Sequence, residues 1–302
     1  MAIKKIDEVI EVVKSRPKRR LAVAFANDSH SIEAVSKAID LDIVEAILVG
    51  DEITIKKVCQ DENIDVNKFK IVQEADEVKA ANRAVKLIND GEADFLMKGL
   101  VSTDKFMRAI LNKETGLLPP KAVLAHITVM ELANYHKLLT VSDVAIIPAP
   151  DMAQKIAIAN YVISTCKALG VERPKIAMVA PTEQVSVGIQ SCVDAAIIAK
   201  MADRGQIKDA DIDGPLALDV AIDMECVKIK AITGNVAGDA DGLVFPNLES
   251  GNVFYKTCTK LVSDTKLAAM LVGAKCPTVL SSRGDSSETK TYSIALAALS
   301  CK

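Results

Sequence analysis

Three stretches of the chain concentrate side chains that handle anions and protons. The first is LSSRGDSSETK, Leu280 to Lys290, which holds five hydroxyl residues, one arginine and two carboxylates. Arg283 offers a planar fork suited to phosphate or carboxylate. Ser281 and Ser282 offer hydroxyl and backbone donors, Gly284 permits a tight turn, and Asp285 or Glu288 is a candidate base. The second is MKGLVSTDKFMR, Met97 to Arg108. A helix start at Ser102 or Thr103, with free backbone N–H groups and a favourable dipole, makes an anion site; Lys98 and Arg108 add positive charge. The third is VAGDADGLVFPNLESGNVFYK, Val236 to Lys256, in which GNVFYK opens a helix. Asp239 and Asp241 are the kind of ligand Mg²⁺ takes, but no further carboxylate cluster accompanies them, so no metal site is expected. On residues alone, each stretch reads equally as turn-and-cap chemistry.

Other chemistries find no support. No GxGxxG follows a strand-like run and there is no GxxxxGK[ST]. Ser282 lacks a GxSxG context and has no histidine near it in sequence. The three histidines, His30, His126 and His136, form no HExxH-like pair. DIDGPLALD, Asp211 to Asp219, is turn chemistry and carries no function by itself.

The elements that must position these residues alternate. Apolar runs occur at Leu21–Ala26, Glu45–Gly50, Phe69–Gln73, Ala93–Gly99, Ala122–Met130, Ser142–Pro148, Pro174–Ala180, Asp241–Pro246 and Cys276–Leu280. Helical patterns lie between them. Glu77–Asp90 is one; another starts after Pro150 with Asp151 as N-cap and ends at Gly170. Such alternation predicts right-handed βαβ units and largely parallel sheets. No linker, repeat or low-complexity tract interrupts it, which suggests two domains joined by secondary structure with a ligand cleft between them.

Composition narrows the class further. Half of the 302 residues are hydrophobic while aromatics are only 3%, with no tryptophan. The core is therefore aliphatic, as suits buried parallel strands. Net charge is −3 and no basic stripe exists, so nucleic acid is not an expected partner. Seven scattered cysteines with no CxxC indicate reduced, cytoplasmic usage rather than disulfides or zinc. The charged, amphipathic N-terminus is unlike a signal peptide, and no apolar run reaches membrane-spanning length. A cytoplasmic protein without membrane association is expected.

Taken in order, MKGLVST, GPLALD, AGDADGLVFPNLESGNVFYK and SSRGDSSETK resemble the phosphate acyltransferases, the phosphate acetyl- and butyryltransferases. The resemblance extends from about residue 20 to the end. MKGLVST, KMADRGQI (Lys200–Ile207), GPLALD, AGDAD, and SETK followed by SIALAAL are more similar to the butyryl branch. The resemblance implies reversible acyl transfer between coenzyme A and phosphate, butyryl-CoA plus phosphate giving butyryl phosphate plus CoA. No cofactor is implied, and a homo-oligomer is. The implied fold is two α/β/α domains with mostly parallel sheets and an interdomain active-site cleft, as in isocitrate and isopropylmalate dehydrogenases. Residues 1–128 and 281–302 would form the first domain, with 129–280 inserted.

The resemblance also assigns residues. Ser282 matches the serine that stabilises the oxyanion, and Arg283 the arginine that holds phosphate or acyl phosphate. Ser102, Thr103 and Arg108 match a substrate-anion site, beside Lys98. Asn252, Tyr255 and Lys256 match the GNxxYK signature that lines the cleft. Four features depart from the pattern. Lys260 replaces a second-domain arginine of the acetyl branch. Thr289 occupies the place of a catalytic aspartate, which leaves Asp285 or Glu288 as the base. Gly284 looks more like the acetyl branch. Glu183–Ala195 departs from the butyryl pattern and bears on acyl-chain size. Three alternatives remain: a phosphate acetyltransferase, a metal- and NAD-dependent decarboxylating dehydrogenase of similar shape, and a non-catalytic acyl-CoA or phosphate-binding paralogue.

Overall fold

The computed structural model describes residues 2–280 and 285–301. The chain divides into two compact units, each discontinuous in sequence: Asp7–Leu124 with Leu267–Lys302, and Met1–Ile6 with Ala125–Lys266. The chain thus re-enters its first unit at Leu267, earlier than the residue 281 expected from the sequence.

The chain opens with α1 (Ile6–Lys14), β1 (Arg19–Ala24), α2 (Ser29–Asp40), β2 (Val44–Gly50), α3 (Glu52–Asp61), β3 (Lys70–Gln73), α4 (Glu77–Asn89), β4 (Phe95–Lys98) and α5 (Thr103–Leu111). The middle contributes β5 (Ala125–Glu131), β6 (Leu139–Ser142), α6 (Met152–Ala168), β7 (Lys175–Val179), α7 (Gln190–Asp203), β8 (Asp211–Leu216), α8 (Leu218–Ile222), α9 (Met224–Ile229), β9 (Gly242–Val244) and α10 (Leu248–Leu261). β10 (Lys266–Val272), β11 (Thr278–Val279) and α11 (Ser287–Ser300) end it.

In the first unit the strand order is β3-β2-β1-β4-β11-β10. All neighbours are parallel except β10 with β11. Successive strands run outward from β1 to β3, and β4 then returns to the other side of β1. β1 and β4 therefore flank a topological switch point, and ligands of such sheets bind outside the carboxyl ends of the strands there. In the second unit the order is β5-β6-β9-β7-β8, parallel except for β5 with β6. Strand interiors such as Leu21–Ala24 and Phe95–Met97 are buried without alternation, as expected of sheets covered on both faces.

Helix starts follow the chain's Asp, Asn and Ser residues. Asp28, Asp51, Asp76, Ser102, Asp151, Asn247 and Ser286 each accept an amide N–H of the helix they precede. Asp151 and Gln154 complete a reciprocal capping box. Gly170 adopts φ +84° and its N–H closes on Lys167 O at 2.9 Å, the left-handed turn that favours glycine after a helix.

Three segments differ from the sequence reading. Of the run at Ser142–Pro148 only Ser142 is strand, as the last residue of β6. The Asp143 carboxylate accepts the N–H groups of Ala145 and Ile146 at 2.7 and 2.9 Å, folding the chain into a side-chain-stabilised turn. DIDGPLALD is not merely a turn, because β8 runs through Gly214–Pro215. β8 lies last in its unit's strand order, where proline removes no needed donor. β10, KLAAMLV, is made of strong helix formers and becomes a strand because Leu267–Leu271 is buried throughout.

Candidate active site

At the switch point, the turns that leave β1 and β4 are laced together. Gly99 N–H donates to Ala24 O at 2.9 Å and Leu100 N–H to Phe25 O at 2.8 Å. A Cβ on Gly99 would come within 2.4 Å of Phe25 O, so only glycine lets the two backbones approach this closely. Beyond this lacing, Ser102 caps α5, its hydroxyl accepting Lys105 N–H at 3.4 Å. Thr103 follows as an exposed first helical residue. Lys105 pairs with Glu77, fixing the first turn of α5 to the start of α4.

Lys98 and Arg108 are held very differently. Lys98 is buried, and its ammonium donates to the carbonyls of Gly99 and Val101 at 3.2 and 2.9 Å. It organises the turn that leads to Ser102. Arg108 is exposed over 79% of its side chain and pairs with Asp104 one turn earlier, Nη2 to Oδ2 at 3.1 Å. An exposed pair of this kind is weak, so the guanidinium is readily exchanged to a stronger anion. The first turn of α5 already draws one anion, the Glu77 carboxylate, which accepts the Ser102 N–H and pairs with Lys105; with Arg108 on the same helix, this end has the chemistry of a phosphate cradle.

β11 continues this edge, with Val279 in register with Met97 of β4. Ser282 and Arg283 lie outside the described residues. Past them, Asp285 is half-buried ahead of Ser286, which caps α11. Glu288 is exposed and accepts the Tyr292 hydroxyl at 3.1 Å. That hydroxyl also meets Asp7. Burial and the two carboxylates push the tyrosine far above its ordinary range. Thr289 belongs to the cap: its N–H donates to Ser286 Oγ at 3.1 Å, and its hydroxyl accepts from the same oxygen at 3.1 Å. Beside it, Lys290 is buried, a feature sequence reading passed over.

In the second unit the GNxxYK residues share α10. Gly251 faces the turn after β6, where a Cβ would come within 2.3 Å of Asp143 O. Asn252 donates its amide to Val144 O at 3.0 Å. These two residues dock α10 on the 143–146 turn, which explains their identity structurally. Tyr255 lies half-buried, and the exposed Lys256 holds its ammonium 5.3 Å from that ring's centre. Asn252, Lys256 and Lys260 recur every four residues and so share a helix stripe. Lys260, in the last turn, is exposed.

The AGDAD segment lies at the opposite, amino ends of the strands. Asp239 pairs with Lys175 at 2.6 Å and Lys137 at 2.9 Å, and His136 approaches it at 2.8 Å. Burial pushes the Asp239 carboxyl up, but hydrogen bonds from Lys175 and Lys137 outweigh this and hold it well below the usual carboxylate range. Asp241 pairs with Lys137 at 2.7 Å and accepts Lys175 N–H at 2.8 Å. Lysines answer both aspartates, and the motif clamps β6, β7 and β9 together.

At the carboxyl ends of β7 and β9 sits a second buried pair, Lys155 with Asp194 at 2.6 Å. Gln190 donates to the other carboxylate oxygen at 2.8 Å. With Met178, Ser191 and Phe245 the pair lines a small recess. The signal was present in the sequence: Lys155 falls on the same helical stripe as Ile158, Ala159 and Val162, all buried.

Matches to known proteins now bear on this arrangement. The family model described as "Phosphate acetyl/butaryl transferase" matches residues 5–83 and 76–298. The chain belongs to the phosphate acetyl/butyryl transferase family. Among family members, it is 46% identical over 297 residues to a phosphate butyryltransferase of Clostridium acetobutylicum, covering 98% of each chain. It is 37% identical to a phosphate acetyltransferase of Thermotoga maritima, covering 97% of this chain and 99% of the other. A solved branched-chain phosphotransacylase from Enterococcus faecalis superposes with a TM-score of 0.80 at 30% identity, covering 93% of this chain and 98% of that one.

Proposed function

We propose that this chain catalyses reversible acyl transfer between coenzyme A and inorganic phosphate, with a butyryl-length acyl group as substrate. The observation that carries the reading is the near full-length identity of 46% to a phosphate butyryltransferase. The anion-binding character of the switch point supports it independently: a capped helix start at Ser102–Thr103 and a loosely held Arg108 face the solvent at the strand ends.

In this reading phosphate is held by Ser102, Thr103, Arg108 and Arg283, while buried Lys98 shapes the turn. A phosphate oxygen attacks the thioester carbonyl. The new C–O bond forms, the C–S bond breaks, and the thiolate of CoA leaves and takes up a proton. No covalent enzyme intermediate is required, because positioning two bound reactants supplies much of the rate. Ser282 stabilises the oxyanion of the tetrahedral intermediate. In reverse, Asp285 or Glu288 removes the thiol proton. Asn252, Tyr255 and Lys256 are assigned to the CoA side, and Lys260, which keeps the charge of the acetyl branch's arginine without its fork, to phosphate. CoA and phosphate are substrates, and no cofactor enters. The cysteines of the described residues are free and five of them are buried, which suits a reducing, cytoplasmic setting.

The similarity to a phosphate acetyltransferase at 37% identity keeps acetyl transfer as the second reading. Phosphate-dependent thiol release on acetyl-, propionyl-, butyryl- and branched acyl-CoA tests both. The highest kcat/KM is expected on butyryl-CoA. A preference for acetyl-CoA selects the second reading, and turnover no greater than one per subunit on every substrate rejects both.

A further inference from the structure

Three lysines are buried among the described residues: Lys98, Lys155 and Lys290. A buried ammonium is costly unless something answers its charge. Lys98 has two backbone carbonyls and Lys155 has Asp194. Lys290 is only 4% exposed, and its N–H donates to Ser286 O at 3.1 Å, but its ammonium has no hydrogen bond or ion pair among the described residues. It is also absent from the fully enclosed polar atoms that lack a partner there, which are Asp28 Oδ2 and Thr278 Oγ1. An unpartnered ammonium that is not enclosed has a buried stem and a reachable tip.

The position of that tip follows from the helix. Lys290 is the fourth residue of α11 and shares a face with Ser293, Ile294 and Ala297, all buried. Ser293 Oγ accepts Ala269 N–H of β10 at 3.0 Å, so this stripe is turned toward the sheet. Helical side chains lean toward the N-terminus, and the long lysine stem carries its charge back toward the carboxyl end of β11. That end adjoins β4, whose own carboxyl end leads to Ser102 and Thr103. The first turn of α11 adds its amide dipole at the same edge.

We propose that Lys290 is a phosphoryl-anion contact of the acyl-transfer site, and that the reacting phosphate supplies the counter-charge that no described residue provides. This rests on the functional reading above. The phosphate groups of CoA share the same chemistry, so the kinetic arms separate the two sources.

The test uses Lys290→Met, which keeps length and removes charge, beside Lys290→Arg. Phosphate and CoA are each varied, in the forward and reverse directions respectively. Lys290→Met is expected to raise the phosphate KM about tenfold, the loss of one charge-assisted contact, with the CoA KM unchanged. Lys290→Arg is expected to retain most phosphate affinity. Inorganic phosphate is expected to raise the thermal midpoint of the wild type and not of Lys290→Met, whose ligand-free midpoint stays at or above the wild-type value. Should Lys290→Met fail to fold, acetylation of the wild type decides: phosphate should protect Lys290, read by peptide mass spectrometry. An unchanged phosphate KM with undiminished phosphate stabilisation, a rise in the CoA KM alone, or no protection overturns the proposal. Absence of phosphate-dependent thiol release in the wild type overturns the functional reading instead.

Discussion

Gly251 of α10 lies against the backbone of Asp143, with room for a hydrogen but not a methyl: an added Cβ would stand 2.3 Å from the Asp143 carbonyl oxygen. The next residue, Asn252, bonds Val144 O across the same contact. The position of Tyr255 and Lys256 one turn later is set by this docking. Gly251→Ala is therefore expected to shift α10 outward, lowering stability by about 1–3 kcal/mol and kcat/KM for CoA by a larger factor than for phosphate. Denaturant unfolding and steady-state kinetics check it; a fully active, fully stable Gly251→Ala refutes it.

Arg108 is exposed and, among the described residues, its guanidinium is tied only to Asp104 of its own helix. Arg108→Ala should raise the phosphate KM about tenfold while the thermal midpoint moves by less than about 2 °C. Asp104→Ala, which frees the guanidinium, should lower that KM or leave it unchanged. A higher KM in Asp104→Ala would show that the pair itself presents Arg108 to substrate.

Ser282→Ala should reduce kcat by about 10²–10³, the usual effect of losing one oxyanion donor, with little change in either KM. Asp285→Asn and Glu288→Gln separate the two candidate bases. The true base should reduce the CoA-to-acyl-phosphate direction most strongly at low pH, where thiolate is scarce. Equal, small effects from both variants would remove general-base catalysis by either residue.

The Lys155–Asp194 pair predicts strong non-additivity. Both side chains are only 7% exposed, so removing one leaves the other charge buried and unanswered. Lys155→Met or Asp194→Leu alone should cost about 3–5 kcal/mol, whereas the double variant should be close to neutral. Urea unfolding of the four proteins measures the coupling, and additive losses would sink the argument.

Asp239 sets a pH dependence. Its carboxyl is held below the ordinary range in the folded chain, so it contributes stability above the unfolded carboxylate pKa of about 4 and loses it as pH falls further. Asp239→Asn should be less stable than the wild type at pH 7, and the gap should close on acidification. Since this network lies at the amino ends of the strands, the folded variant should retain turnover, with no response to Mg²⁺. Mg²⁺-dependent activity would revive the metal reading of AGDAD.

What could be read from the sequence was local chemistry. Asp151, Ser102 and Gly170 marked helix ends because capping depends on residues a few positions apart. β10 was not legible because Leu, Ala and Met favour helices, and only burial on both faces makes KLAAMLV a strand. β8 was hidden by Gly214–Pro215, whose turn character is overridden by its place at the end of the strand order. Within the candidate site, the Ser102 cap was visible, whereas the burial of Lys98, Lys155 and Lys290 was not. A charged residue in a helical pattern ordinarily signals a solvated face, and only its position on the apolar stripe argues otherwise.

The order in which the chain is made gives the split first unit a further consequence. β4 needs β11 as its neighbour, in register at Thr278 with Leu96 and Val279 with Met97, and α11, buried from Lys290 to Leu299, closes over them. During synthesis, about 180 residues intervene between β4 and the strand that covers its edge. Until then the apolar Phe95–Met97 edge is open to pairing with other chains. A ribosome stalled just after the second unit, or a protein clipped before β11, would release a folded middle attached to an adhesive half-sheet, so the last two dozen residues act as the molecule's own protection against aggregation.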